Sequence, residues 1–279
     1  MSATKPLWSP SKTRVEKSQM SAFAKFVSHR IDKHFNTYEE LHEWSCADGA
    51  VFWDLIWEFC GLKGEKGERI VEHEERMPGA KYFPDARLNY AENLLRLDGA
   101  SEAIVFRCEE KSERRMSWQE LHALVSRFQQ AFKAKGLKKG DRVSAMMPNM
   151  PETIAAMLAV TSLGAVWSSC SPDFGEKGVL DRFSQVKPKF FIACDGYWYA
   201  GKRLDISAKL AGIVPALGSE LNIIVPLLGV ADETAERLDN TVSMRELLDS
   251  IEPGGVWMKY RDMKASLPSE VELRKCSMD

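Results

Sequence analysis

The sequence predicts an α/β protein with parallel βα units, preceded by a helical N-terminal extension. From about residue 99, short apolar runs of strand length alternate with helical stripes of about 10–15 residues, the pattern of βαβ units on a parallel sheet. One stripe, Ile154 to Leu163, is apolar on nearly every face and must be buried. Residues 1–98 lack this alternation and carry aromatic side chains at helical spacing instead.

In chain order, Ser2 to Arg30 is basic and serine-rich, with Glu16 its one acid. That composition would suit a transit peptide, but Leu7, Trp8, Phe23, Phe26 and Val27 read as side chains that dock on a domain. Thr37 followed by Glu40 is a capping-box signature, and Asp48 is placed to cap a second helix. Val51, Phe52, Leu55, Ile56 and Phe59 form the stripe of that helix, and Gly61 stops it. Gly61, Gly64 and Gly67 lie among Lys63, Glu65, Lys66, Glu68 and Arg69. No apolar strand precedes them and the charges alternate in sign, so they read as a solvated turn rather than a phosphate loop.

Ala103 to Phe106 reads as a strand. Ser117 and Glu120 make a second capping box, ahead of a stripe of Leu121, Leu124, Val125, Phe128 and Phe132 that ends at Gly136. Asp141 to Met147 reads as a strand, and Pro151 opens the apolar helix at its first position. Gly164 stops it, and Ala165 to Ser168 is the next strand. A short helix closes at Phe183. Lys189 to Ala193 is a strand, Leu204 to Ala216 a helix and Asn222 to Val225 a strand.

The bulk numbers exclude several function classes. Formal net charge is -2 and the pI about 6.3, which gives no chain-wide basic field for nucleic acid. No apolar run reaches the 18–20 or so residues of a membrane span. The six cysteines, Cys46, Cys60, Cys108, Cys170, Cys194 and Cys276, form no CxxC pair and read as reduced, mostly buried thiols of a cytoplasmic protein. His29, His34, His42, His73 and His122 lack HExxH spacing, so no metal site is expected.

Parallel sheets bind ligands beyond the carboxyl ends of their strands, which selects the loops after Ser168 and after Ala193. The second loop, Gly196 to Arg203, matches GxxxxGK[ST] except at its last position. Arg203 stands where a hydroxyl should hold magnesium, and three aromatics crowd the loop, so the P-loop reading fails. Lys202 and Arg203 are expected at a helix N-terminus, where they would either hold one phosphate or stand as an exposed basic pair. The first loop, Ser169 to Gly175, reads as a turn that caps the next helix. No histidine follows His122 to activate Cys170, so an idle thiol is expected there. The sequence offers no catalytic residue.

Gly140 to Glu152, running on through Ala155 to Val160 and Gly164 to Val166, resembles the early core motifs of the adenylate-forming synthetases. Met116 to Leu121 is similar to the motif just upstream. Phe52-Trp53 and Tyr82 to Leu94 resemble the N-terminal extension of the acetyl-CoA synthetase branch. Leu7 to Ser11, Leu88 to Asn93 and Ser168 to Gly175 are most similar to its acetoacetate-activating subgroup.

The resemblance implies residues 1–98 as that extension and 99–279 as the first part of an adenylate-forming large domain. It implies an acid–CoA ligase that uses ATP, CoA and Mg2+ on acetoacetate or a similar short acid. The CoA contacts it implies are Tyr199, Ala200, Gly201 and Lys202, with Arg203 beside them, and the turn Ser171, Pro172 and Asp173. Tyr199 stands where the branch has a cation, and Asp173 adds an anion. The Ser/Thr/Gly-rich loop ending in Pro-Lys, the adenine and ribose motifs and the C-terminal catalytic lysine are absent from these 279 residues, so the ATP and Mg2+ sites are expected beyond this chain. Residues 253 to 279 do not resemble the family. Two other readings remain open: a non-catalytic CoA-binding or regulatory module, and an unrelated nucleotide binder acting through Gly196 to Arg203.

Overall fold

The computed structural model describes residues 7–109, 112–249 and 251. Cys276 and the stretch from 253 to 279 lie outside them. The chain forms two compact units, Met1–Arg87 and Leu88–Asp279.

The first unit holds helices α1 (Lys12–Glu16), α2 (Gln19–Ile31), α3 (Tyr38–Ala47) and α4 (Gly49–Phe59). Strands β1 (Gly64–Glu65), β2 (Val71–Glu72) and β3 (Lys81–Tyr82) follow, and β4 (Arg87–Leu88) lies at the junction. Phe23, Val27, Leu41, Trp44 and Leu55 are its buried centre, with Phe52 and Phe59 packed edge-on against Phe23. Thr37 caps α3 as expected, but Glu40 reaches back to the amide of Asn36 rather than closing the box on Thr37. Asp48 makes no side-chain cap, and its backbone at φ -119° and ψ 51° is not in the extended geometry of an N-cap. Leu7 and Trp8 do not dock. They are 107% and 67% exposed, and Trp8 carries the Arg14 guanidinium 5.5 Å from its ring.

The second unit opens with α5 (Tyr90–Leu94), β5 (Glu102–Cys108), β6 (Ser112–Ser117) and α6 (Trp118–Ala134). Asn89 explains why residues just after 87 join this unit. It caps α5 through Glu92 and donates to the Ser162 carbonyl at 3.0 Å, while Gln129 donates to the Ser162 hydroxyl. The strand expected at 103–106 does not open the parallel sheet. It pairs antiparallel with β6 in a separate hairpin. β6 reads Ser-Glu-Arg-Arg-Met-Ser, too polar to announce a strand.

The parallel sheet is built from β7 (Arg142–Met146), α7 (Pro151–Ser162), β8 (Val166–Cys170), α8 (Glu176–Val186) and β9 (Phe190–Cys194). A hairpin of β10 (Gly196–Tyr199) and β11 (Lys202–Asp205) follows. Then come α9 (Ser207–Leu217), β12 (Leu221–Val225), α10 (Ala231–Glu236), β13 (Thr241–Ser243) and α11 (Met244–Asp249). The strand order is β13-β12-β9-β7-β8, all parallel. β9 is buried at every residue, as a strand covered on both faces must be. The chain steps outward from β7 to β8, then back past β7 to β9. Right-handed crossovers therefore put α7 and α8 on opposite faces. Among the described residues no helix is long and apolar enough to cross a membrane.

Candidate functional site

The strand order reverses between β7 and β9, and in such sheets ligands bind beyond the carboxyl ends of the strands at that point. β8 runs to Cys170, two residues further than the sequence predicts, so the loop begins at Ser171. Ser171 to Phe174 is a turn closed by the Phe174 amide on the Ser171 carbonyl at 3.4 Å, with Pro172 at its second position. Lys209 on α9 holds that turn by donating to the carbonyls of Pro172 and Phe174 at 2.8 and 2.9 Å. Arg182 on α8 covers the Phe174 ring at 4.5 Å. Ser171 and Asp173 are exposed and Pro172 is buried. No side chain of this turn caps α8. Gly175 is the cap and makes no side-chain bond.

Cys170 is 8% exposed, and burial pushes its thiol up to about 11. Cys194 is driven by burial to about 12. Neither supplies a thiolate near neutral pH. The other described cysteines are not buried as expected: Cys46 and Cys60 are exposed and Cys108 is half-buried.

The largest departure from the sequence reading is at Gly196 to Arg203. These residues form an antiparallel hairpin, with Gly196 opposite Asp205 and Tyr199 opposite Lys202. Ala200 and Gly201 make the two-residue turn, at φ 50° and 74°. Lys202 and Arg203 are therefore on β11 and not at a helix N-terminus. α9 starts at Ser207 rather than Leu204, and Asp205 accepts the Ser207 amide at 2.8 Å. The helix dipole drops out of any account of Lys202, and the hairpin excludes a P-loop. The Lys202 side chain is exposed and makes no hydrogen bond or ion pair among the described residues. Arg203 is exposed too and donates weakly to the Leu228 carbonyl at 3.4 Å. Tyr199 is 63% exposed.

The two loops follow the carboxyl ends of β8 and β9 in the same sheet. The Tyr197 phenol on β10 is pushed above its ordinary value, first by burial and then by the charge of Asp173. Glu109, at the end of β5, reaches the hairpin turn and accepts the amides of Ala200 and Gly201 at 2.8 and 2.7 Å.

Two residues here were not found in the sequence. Asp195 is fully buried at the end of β9, and its carboxylate accepts the amides of Leu227, Leu228 and Val230 at 2.8, 2.9 and 2.8 Å. It fixes the loop after β12 against the hairpin. Its signal was an acid directly after an apolar strand and before a glycine. Glu109 gave no signal, because its partners lie 91 and 92 residues away. Among the described residues no group of three or more His, Cys, Asp or Glu could hold a metal ion.

The profile of the AMP-binding enzyme family matches residues 96–252, and that of the acetyl-coenzyme A synthetase N-terminus matches residues 38–94. The chain is 48% identical over 254 residues to the acetoacetyl-coenzyme A synthetase of Rhizobium meliloti (strain 1021), covering 91% of this chain and 39% of that one. It is 34% identical over 251 residues to the acetoacetyl-CoA synthetase of Danio rerio, covering 88% of this chain and 37% of the relative. The solved acetoacetyl-CoA synthetase from Streptomyces lividans superimposes with a TM-score of 0.81 at 34% identity, over 89% of this chain and 39% of that one. The chain thus spans well under half the length of these relatives.

Proposed function

The chain belongs to the AMP-binding enzyme family, and from that premise we propose that the complete protein is an acetoacetate–CoA ligase. An acetoacetate carboxylate oxygen attacks the α-phosphorus of ATP and pyrophosphate leaves. The CoA sulfur, its thiol proton lost to solvent, then attacks the acyl carbon, and AMP leaves with the oxygen that bridged phosphorus and carbon. The observation that carries this reading is the 48% identity to an acetoacetyl-coenzyme A synthetase across 254 of the chain's residues. Mg2+ is the expected companion of ATP, and both are proposed to be held by residues beyond this chain. The division into a 1–98 extension and a 99–279 first part of the large domain is likewise a proposal. So is a cytoplasmic location, which suits five free described cysteines.

The part proposed for this chain is the CoA side of the site. Lys202, exposed and unpartnered among the described residues, suits one phosphate of CoA as a point charge, with Arg203 beside it. Tyr199, Ala200 and Gly201 shape the tip that carries Lys202. Ser171, Pro172 and Asp173 form the second turn, where the Asp173 carboxylate disfavours a phosphate.

The test is AMP and acetoacetyl-CoA formation by the complete protein. Both products should require acetoacetate, ATP, Mg2+ and CoA together. AMP release that is no faster with acetoacetate than without it overturns the reading.

A further inference from the structure

We propose that Glu109 is a built-in anion that occupies the tip of the β10–β11 hairpin, and that a phosphate-bearing ligand must displace it. The two left-handed residues of the turn aim neighbouring backbone amides at one point. Both amides are taken, each by a different oxygen of a single carboxylate, at 2.8 and 2.7 Å. Glu109 itself is held at φ 40°, a conformation rarely adopted by a residue with a side chain. Its carboxylate makes no ion pair among the described residues, so it engages the tip through the amides and not through Lys202. The contact is exposed, so water replaces its hydrogen bonds when it opens and opening costs little.

A carboxylate in that position excludes a second anion. A phosphate on the same amides would sit within about 4 Å of the carboxylate, where two like charges repel. The tip is therefore open to a phosphate only while Glu109 is away, and the apparent affinity is the intrinsic one reduced by that open fraction. Lys202, one residue on, gives an arriving phosphate the cation that Glu109 does not engage. The same contact joins the end of β5 to the β10–β11 hairpin.

This inference rests on the proposal that the tip takes a phosphate of CoA, and the experiment separates the two. Calorimetry on the complete protein measures CoA affinity for wild type, Glu109→Ala, Glu109→Gln and Lys202→Ala. Hydrogen exchange follows the peptide spanning 196–206. The gate predicts that Glu109→Ala binds CoA about three- to tenfold more tightly than wild type, with Glu109→Gln in between. It also predicts that Glu109→Ala speeds exchange at Ala200 and Gly201 until CoA restores protection. Unchanged or weaker CoA binding in Glu109→Ala, with Lys202→Ala still weakening it, overturns the gate and leaves the CoA site standing. If CoA protects the peptide in no variant and Lys202→Ala changes nothing, the CoA site fails. Inorganic phosphate then decides the gate: protection of the tip in Glu109→Ala but not in wild type supports it, and no protection in either overturns it.

Discussion

Arg114 donates both terminal nitrogens to the carboxylate of Glu152, at 2.6 and 2.8 Å, and so ties β6 to the first turn of α7. The Glu152 side chain is 8% exposed while that of Arg114 is 39% exposed. Truncating the arginine leaves a nearly buried carboxylate without its partner. Arg114→Ala is expected to destabilise by about 2 kcal/mol, discounted because the arginine is partly in water. Arg114→Met combined with Glu152→Met should recover most of that loss. Thermal melts of the three variants in the complete protein check it, and a double variant no better than the single one contradicts it.

The capping box at the head of α6 gives a pH dependence of known sign. Glu120 accepts the Ser117 amide and hydroxyl at 2.7 and 2.8 Å, and these bonds hold its carboxyl below the ordinary 4.5. A carboxyl lowered in the folded state stabilises above its unfolded value. That contribution fades as pH falls through the folded value. Glu120→Gln should therefore melt below wild type at pH 7, and the gap should close as pH drops below 4.5. A gap that is constant with pH would mean the box contributes through shape and not charge.

Gly196 is fixed by its surroundings. At φ 155° a Cβ there would press into Leu228 and lie 2.5 Å from the Leu204 carbonyl oxygen. Gly196→Ala is expected to destabilise by about 2–4 kcal/mol, because backbone cannot move aside as a side-chain tip can. Hydrogen exchange over 196–206 should rise with it. Wild-type melting and wild-type protection would show that the hairpin tolerates the methyl.

Lys202 is on a strand and lacks the help of a helix dipole, so its effect is that of one exposed cation. Lys202→Ala should weaken CoA binding by about fivefold, equivalent to about 1 kcal/mol, and Lys202→Arg should largely keep it. Dephospho-CoA should abolish most of the difference if the 3′-phosphate is the partner. Raising the salt should shrink it. Equal affinities for Lys202→Ala and wild type would remove this residue from the site.

Much of the fold was legible because its elements are locally specified. β9 is covered on both faces and reads as a continuous apolar run, while β7 and β12 are mostly apolar, broken by Ser144 and Asn222. Ser117 with Glu120 and Pro151 at the head of α7 mark helix starts by their own chemistry. The hairpin was missed because Ala200 at φ 50° carries no turn signature, and Gly201-Lys202 imitated a phosphate loop. Tyr197-Trp198-Tyr199, three good strand formers, were the clue to β10. β13, α10 and α11 are too short or too polar to show periodicity. Asp195 and Glu109 act on amides far along the chain, and no local pattern encodes such a distance.

Isotope exchange between pyrophosphate and ATP tests the central claim most directly, since it reports adenylation alone. Charge stabilisation of that step needs a phosphate-gripping loop and a lysine, which the sequence of these 279 residues lacks. The complete protein should show exchange that depends on acetoacetate, and the 279-residue chain should show none above background. Acetoacetate-dependent exchange by the 279-residue chain alone, or its absence in the complete protein, would contradict the account.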